Sequence, residues 1–134
     1  MNRTIVHDIE REPGYHADEM EKVRDLEGGP FVTANLIKIK DMDSWQKYVN
    51  AFLERFEAVD IIYGGSRERG DPIIIGDKDF NDFDLIILAR YPSAKAFFDI
   101  ANSDTYAHEV YPMRRAAVEK AQLVLTRPFP PPEE

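Results

Sequence analysis

Apolar and polar residues follow two alternating periods along the chain, and this change of period predicts alternating strands and helices. Residues 31–40, FVTANLIKIK, are rich in strand-forming residues and end in strict alternation. In residues 41–59 the apolar positions recur three or four apart, which predicts an amphipathic helix with one wide buried face. Asp43 and Gln46 match a capping box at its start.

The second half of the chain repeats this alternation. Ser93 is the expected N-cap of the helix that follows it. A polar break then leads into SDTYAHEVYPMRRA, which combines two tyrosines, a histidine and two arginines. The predicted elements are strands at 60–68, 83–91 and 121–129, a short apolar piece at 72–76 and a helix at 93–101.

The order strand, helix, strand, strand, helix, strand is the split βαβ, or ferredoxin-like, arrangement. It predicts an α+β protein in which both helices cover one face of an antiparallel sheet. In strand 83–91, Leu85 and Ile87 point to one face, whereas Ile86 and Leu88 point to the other. Both faces are therefore apolar, and in a chain this short a second copy is the expected cover, so we expect a homodimer.

The two ends of the chain differ from the middle. Residues 1–29 are polar and acidic, and ADEMEKVRDLEGG within them predicts a short helix that ends at Gly28. Residues 128–134 are rich in proline, which predicts an extended, mobile tail. We therefore expect a partly helical N-terminal extension, one ferredoxin-like domain at 30–127 and a tail.

Composition excludes several classes of function. The net charge of −8 disfavours nucleic acid and anionic membrane surfaces, which need clustered Lys and Arg. The chain has no cysteine and no apolar run long enough for a signal peptide or a membrane span, so we expect a cytoplasmic protein. The three scattered histidines lack zinc-ligand spacing, and GGSRERG lacks the Lys-Ser/Thr ending of a phosphate loop. We expect no metal and no cofactor.

Residues 103–116 carry the main candidate chemistry. Tyr106 and Arg114 could turn toward a cleft and hold an anionic or carbonyl group, since Arg is always charged and forked. Alternatively, Arg114 pairs with an acidic neighbour and Tyr106 only packs. A histidine side chain can exchange a proton near neutral pH, so His108 either moves a proton in a reaction or is a structural histidine. Pro112 removes a helical hydrogen bond and predicts a kink.

Three further residues, Asn35, Tyr63 and Arg67, are candidates for ligand binding. Asn35 lies mid-strand between apolar residues, so its amide either donates into a cleft or bonds to a neighbouring backbone. The pair Gly64-Gly65 predicts a bulge or a close backbone approach. Such an approach could open a pocket beside Tyr63 and Arg67.

Several of these segments are similar to the dimeric α/β-barrel superfamily and, within it, resemble the domain of unknown function 1330. The similarity spans about residues 30 to 127 in the correct order. The resemblance implies two ferredoxin-like units whose sheets meet face to face. It is carried by Asn35-Leu36 in the first strand, Gly64-Gly65 in the second, and Ser103, Tyr106, Pro112 and Arg114 around the last helix.

Relatives in that superfamily include cofactor-free monooxygenases, haem-degrading enzymes and lactone isomerases. The resemblance therefore implies a small metal-free enzyme, oxygenase- or isomerase-like, acting on a small organic molecule between sheet and helices. In this hypothesis Arg114 orients the ligand, Tyr106 and Asn35 donate hydrogen bonds, and His108 moves a proton. Two alternatives stay open: a non-catalytic binding or regulatory dimer that uses the same cleft, and a structural dimer with no pocket.

Overall fold

The computed structural model describes residues 14–67, 72–78 and 82–128, and its elements follow the predicted order. Expectations for residues 1–13 and 129–134 lie outside these ranges. The elements are α1 (Ala17–Arg24), β1 (Phe31–Ile39), α2 (Met42–Arg55), β2 (Asp60–Ser66), β3 (Leu85–Tyr91), α3 (Ala94–Ala101), a π-helical turn (Tyr106–Val110), α4 (Tyr111–Ala117) and β4 (Val118–Thr126).

The four strands form one antiparallel sheet in the order β2-β3-β1-β4. Asn35 on the central strand β1 lies opposite Ile87 of β3 and Leu123 of β4. Helices α2, α3 and α4 pack on the sheet face that carries Thr33 and Ile37, both nearly inaccessible to solvent. This arrangement confirms the predicted ferredoxin-like α+β fold.

Helix α2 begins earlier than the capping-box pattern predicts. Its N-cap is Asp41, whose Oδ2 accepts hydrogen bonds from Ser44 N at 2.8 Å and from Ser44 Oγ at 2.7 Å. The predicted pair, Asp43 and Gln46, was therefore wrong. Asp41 caps the helix because its short carboxylate reaches the free N–H group of the third helical residue.

Two serines cap helical segments in the second half of the chain, and Ser93 does so as its position predicts. Ser93 Oγ accepts a hydrogen bond from Ala96 N at 3.0 Å at the start of α3. Ser103 Oγ accepts one from Tyr106 N at 3.1 Å, just before the π-helical turn. Each hydroxyl satisfies a backbone donor that has no partner within its own helix.

The short apolar piece at 72–76 is not a strand. Ile74 and Ile75 are each 91% exposed, and the chain bends there. The described residues 72–76 pair with no strand of the sheet, although β2, the strand before them, lies at the edge of the sheet. An apolar run is not a strand unless its backbone groups also pair with a neighbouring strand. The described part of this connection therefore stays outside the sheet.

The other face of the sheet carries a continuous apolar row across all four strands. We call this surface the open sheet face, and no helix of the described residues covers it. Cross-strand pairing places Tyr63, Leu88, Ala34 and Val124 side by side, with Ile86 and Leu36 in the next row. Ile86 is 36% exposed and Tyr63 56% exposed. The alternation predicted for β3 is thus confirmed.

Charged groups close both ends of the open sheet face. Asp82 lies between Lys38, at 2.7 Å, and Lys120, and hydrogen bonds from the two lysines lower the pKa of its carboxyl to about 2. At the opposite end, Arg90 pairs with Asp60 at 3.3 Å. The apolar rows therefore lie between two ion-paired borders. Among the described residues, no helix is long and apolar enough to cross a membrane.

Candidate functional site

A cavity of about 630 Å³ lies between the helix-facing side of the sheet and helices α1, α2 and α3. This volume falls within the range of small-molecule sites. The walls are mostly aromatic and aliphatic. The aromatic residues that line it include Trp45, Tyr48, Phe52, Tyr91, Phe97 and Tyr106.

Helix α2 supplies one aromatic wall of the cavity. Trp45, Tyr48 and Phe52 recur at helical spacing, and successive ring centroids lie 5.3 and 6.2 Å apart. Phe52 also meets Tyr106 edge to face, with centroids 6.1 Å apart. The apolar stripe predicted for this helix is therefore buried as expected. Its residues line the cavity on one side and do not fill it.

The π-helical turn Tyr106–Val110 brings Tyr106 and Arg114 to one side of the helix. The N–H of Tyr111 donates to the carbonyl of Tyr106, five residues back, and Pro112 follows without any N–H. The wider turn absorbs one residue. The two side chains therefore lie as though seven residues apart in an α-helix, a spacing that returns to the same face.

Tyr106 and Arg114 meet Tyr48 and Tyr91 inside the cavity, and we call these four residues the tyrosine–arginine cluster. The hydroxyl oxygens of Tyr48 and Tyr106 are 3.3 Å apart and share a hydrogen bond. The Cζ atom of Arg114 lies 5.8 Å from the Tyr48 ring centroid, a cation–π distance. Arg114 is only 6% exposed, so its positive charge lies beside the cavity rather than in bulk water.

The electrostatics keep the buried tyrosines neutral. Burial raises the pKa of Tyr91 and of Tyr106, Tyr48 raises both further, and the positive charge of Arg114 offsets part of the effect. Both hydroxyls therefore stay protonated at physiological pH. They can donate hydrogen bonds or share a proton, but they do not act there as general bases.

Asn35 forms part of the cavity floor. Its Nδ2 donates to Ile87 O at 3.2 Å and to Thr33 Oγ1 at 3.1 Å, which ties the amide to the sheet. The predicted bond to a neighbouring backbone therefore exists. Within the described ranges, Asn35 Oδ1 accepts no hydrogen bond, and the residue still lines the cavity. The position favours an acceptor facing a ligand rather than the donor expected from sequence.

Three predicted site residues lie elsewhere. His108 is exposed and does not line the cavity. Tyr63 lies on the open sheet face, where its hydroxyl occupies the space beside Gly65 that a Cβ atom would need. Arg67 stacks on Phe83, with its Cζ atom 5.5 Å from the ring centroid. The structure therefore brings Tyr106, Arg114 and Asn35 together, and leaves these three outside.

Sequence reasoning missed Tyr48 and Tyr91 as cluster members. Tyr48 was counted only as one position of the apolar stripe of α2. Tyr91 shares strand parity with Ile87 and Ala89, so its side chain lies on the helix-facing side. That parity was the available signal, because a tyrosine on a buried strand face needs a partner for its hydroxyl.

Helix α1 covers part of the cavity and is held by its connection to β1. Met20 and Val23 are buried and line the cavity. Arg127 Nη2 donates to Glu27 O at 2.7 Å, and its guanidinium lies 4.4 Å from the Phe31 ring centroid. Gly28 has φ +84°, and a Cβ there would meet Arg127. The connection is therefore fixed, whereas α1 itself buries few side chains.

Replacing Met20 and Val23 together by Asp should release α1 from the cavity. Burial of each apolar side chain stabilises the packing of α1 by about 1.5–3 kcal/mol. Two carboxylates in their place lose that stabilisation and would have to be buried as charges, so α1 should no longer pack there. Amide hydrogen exchange is expected to accelerate throughout α1 while β1 stays protected. Glu21→Asp on the exposed side of the same helix is the matched control. Equal protection of α1 in the double variant would contradict its role as a cover.

The topology and the single helical layer place this chain among α+β proteins with a ferredoxin-like fold. It is similar to RPA0582, a protein of unknown function from Rhodopseudomonas palustris, at 22% identity and a TM-score of 0.72. That match covers 90% of this chain and 98% of the other, and a methylated form of RPA0582 matches equally well, with 89% and 96% covered. This likeness shows the fold.

A third solved structure, a dabb family protein with a ferredoxin-like fold from Mesorhizobium loti, matches with a TM-score of 0.48 and 11% identity. It covers 77% of this chain and 100% of that one. No protein-family model matches the chain, and no curated protein matches it either. In the described ranges, no group of three or more His, Asp or Glu side chains could hold a metal ion.

Proposed function

We propose that the protein binds a small, mostly apolar organic molecule in the cavity and directs its carbonyl or anionic group at the tyrosine–arginine cluster. One observation carries the proposal. A buried guanidinium and three tyrosine hydroxyls line the same mostly apolar cavity. Apolar walls supply affinity in proportion to the surface removed from water, and a few placed polar groups fix orientation.

A catalytic role is the second candidate, and neutral tyrosines beside a fixed positive charge favour it. Such groups stabilise an oxyanion or an enolate, as oxygenase- or isomerase-like chemistry would need. The reaction also needs a base. Among the described residues that line the cavity, an imidazole and a carboxylate are present in His16 and Glu19, both exposed at the start of α1. Binding therefore has the stronger support, and catalysis would depend on α1.

The sole tryptophan of the chain, Trp45, lines the cavity, so its fluorescence reports occupancy. Titration with a panel of small aromatic aldehydes, ketones, carboxylates and amides should give a saturable change for at least one compound. The same compound should raise the melting temperature, because it binds the folded state. A panel that changes neither Trp45 emission nor the melting temperature would contradict the proposal. Product formation, followed by NMR, separates an enzyme from a binding module.

We also propose that a second copy of the chain covers the open sheet face. The support is the apolar row through Tyr63, Leu88 and Ala34, bordered by ion pairs at both ends. A two-fold axis through this row would match apolar surface with apolar surface and leave the charged borders in water. Because the chain has no cysteine, we further propose the reducing cytoplasm as its compartment.

A further inference from the structure

Tyr91 carries a buried hydroxyl that the fold itself does not use. The residue is 6% exposed, and its ring packs edge to face on Phe97 with centroids 5.1 Å apart. It lines the cavity, and in the described parts of the chain its hydroxyl forms no hydrogen bond. Phenylalanine would fill the same space without leaving a buried donor unsatisfied, so packing does not account for the hydroxyl.

Asn35 carries the complementary group, a buried acceptor to which no described residue donates. Its Nδ2 lies 3.2 Å from the carbonyl oxygen of Ile87 and 3.3 Å from that of Thr33. Because carbonyl oxygens only accept hydrogen bonds, these two contacts fix the amide with Nδ2 toward the sheet and Oδ1 away from them. Asn35 is 7% exposed and lines the cavity. The fold therefore holds an unpaired acceptor beside the cavity.

The two unpaired groups stand apart along the sheet. Tyr91 lies opposite Phe31, four residues before Asn35 on β1, and all three side chains share the helix-facing side. Four residues correspond to about 13 Å along a strand, more than the length of a tyrosine side chain. A ligand that meets both groups must therefore carry its acceptor and its donor at separate ends.

The aromatic walls indicate what would join these two ends. Trp45 and Phe52 line the cavity from α2, and Phe97 lines it from α3. Aromatic faces and edges favour a flat apolar body that stacks on them or meets them edge to face. A ligand that displaces water from a polar group loses affinity unless it reproduces the hydrogen bond, so Tyr91 and Asn35 select against purely apolar molecules.

We propose that the cavity selects a flat, largely apolar molecule with a carbonyl acceptor at one end and a hydroxyl donor at the other. The Tyr91 hydroxyl donates to the carbonyl, and Asn35 Oδ1 accepts from the ligand hydroxyl. This inference rests on the proposed binding function and names its ligand class, the hydroxyaryl carbonyl compounds. Arg114 has contacts of its own within the protein, and the assignment does not depend on its charge.

Two parent probes, para-hydroxyacetophenone and the longer para-hydroxybenzylideneacetone, test the inference. Each is compared with an analogue that has methylene in place of the carbonyl, and with its methyl ether, which cannot donate. Calorimetry at mildly acidic pH keeps the phenols neutral. At least one parent should bind about tenfold tighter than either of its analogues, because each analogue leaves one buried protein group unsatisfied.

Two variants assign the hydrogen bonds to their residues. Tyr91→Phe should weaken the parent by about tenfold, change the methylene analogue by less than about twofold, and melt no lower than wild type. Asn35→Ala should bind the parent and its methyl ether equally. If Asn35→Ala does not fold, the methyl ether on wild type still tests the acceptor. Tyr63→Phe, the same change away from the cavity, is the control and should leave every affinity unchanged.

The outcomes separate this inference from the binding function on which it rests. Parents that bind no tighter than their analogues would overturn the paired recognition and leave the binding function standing. A Tyr91→Phe variant that binds the parent as tightly as wild type does would overturn the role of Tyr91. If neither parent binds, the inference is overturned, and the broader compound panel then decides whether the binding function fails with it.

Discussion

Replacing Arg114 by Met is expected to weaken binding of a carboxylate probe such as phenylacetate by about 10- to 100-fold, because a charged hydrogen bond contributes about 1.5–3 kcal/mol. Methionine keeps an unbranched apolar stem beside Tyr48, so the packing of the cavity wall is largely preserved. Removing a buried charge also removes its desolvation cost, which offsets part of the stability lost with the contacts that Arg114 makes inside the protein. The free energy of unfolding should therefore fall by less than about 3–5 kcal/mol, the cost of breaking a buried ion pair.

The neighbouring residue provides the matched control. Arg115 lies on the same helix but is exposed, so Arg115→Met should leave both affinity and stability unchanged. Denaturant melts and calorimetry on both variants give the two quantities separately. A loss of about 3–5 kcal/mol for Arg114→Met would show that folding needs the charge in a buried ion pair, and would remove Arg114 from the ligand site.

The substitution Ile86→Asp is expected to convert a dimer into a monomer. Ile86 lies on the central strand β3 between Gly65 and Leu36, on the open sheet face. In a two-fold dimer each substitution occurs twice, so two apolar side chains are lost and two carboxylates lose their water. At about 1.5–3 kcal/mol for each apolar side chain alone, the dissociation constant should rise by at least about 100-fold.

Met113→Asp is the control for this experiment. Met113 is 38% exposed, close to the 36% of Ile86, but it lies on α4 away from the sheet. Light scattering coupled to gel filtration should give a dimer mass for wild type and for this control. Ile86→Thr keeps a strand-forming residue and should weaken the dimer with little effect on folding. A wild-type protein that is monomeric at micromolar concentration would contradict the proposal of a dimer.

The candidate site shows how far sequence reasoning reaches. Tyr106, Arg114 and Asn35 were singled out from local pattern, and all three line the cavity. His108 was singled out on its chemistry alone. The chemistry of an imidazole does not tell where the side chain points, and in the π-helical turn His108 is exposed to solvent. Only the helical register could have shown that Tyr106 and Arg114 face the cavity and that His108 does not. The wider turn changes that register.

Tyr91 illustrates the opposite failure. Its position at the end of an apolar strand was clear from the sequence, yet nothing local connected it with Tyr48 on α2. The two residues interact because β3 and α2 pack on opposite sides of the same cavity. Contacts between residues so distant along the chain depend on strand order and helix packing, which local periodicity does not specify.

The sequence by itself determined the order of the elements, the two-faced character of β3 and the serine caps of the helices. These features depend on period, burial and hydrogen bonding within a few residues, which any chain carries in its local pattern. The tertiary structure alone decided that 72–76 stays out of the sheet, that α1 covers a cavity, and which hydroxyls gather around Arg114. Those outcomes depend on which segments pair with one another in the sheet and on where helices leave space above it, and both are properties of the assembled fold.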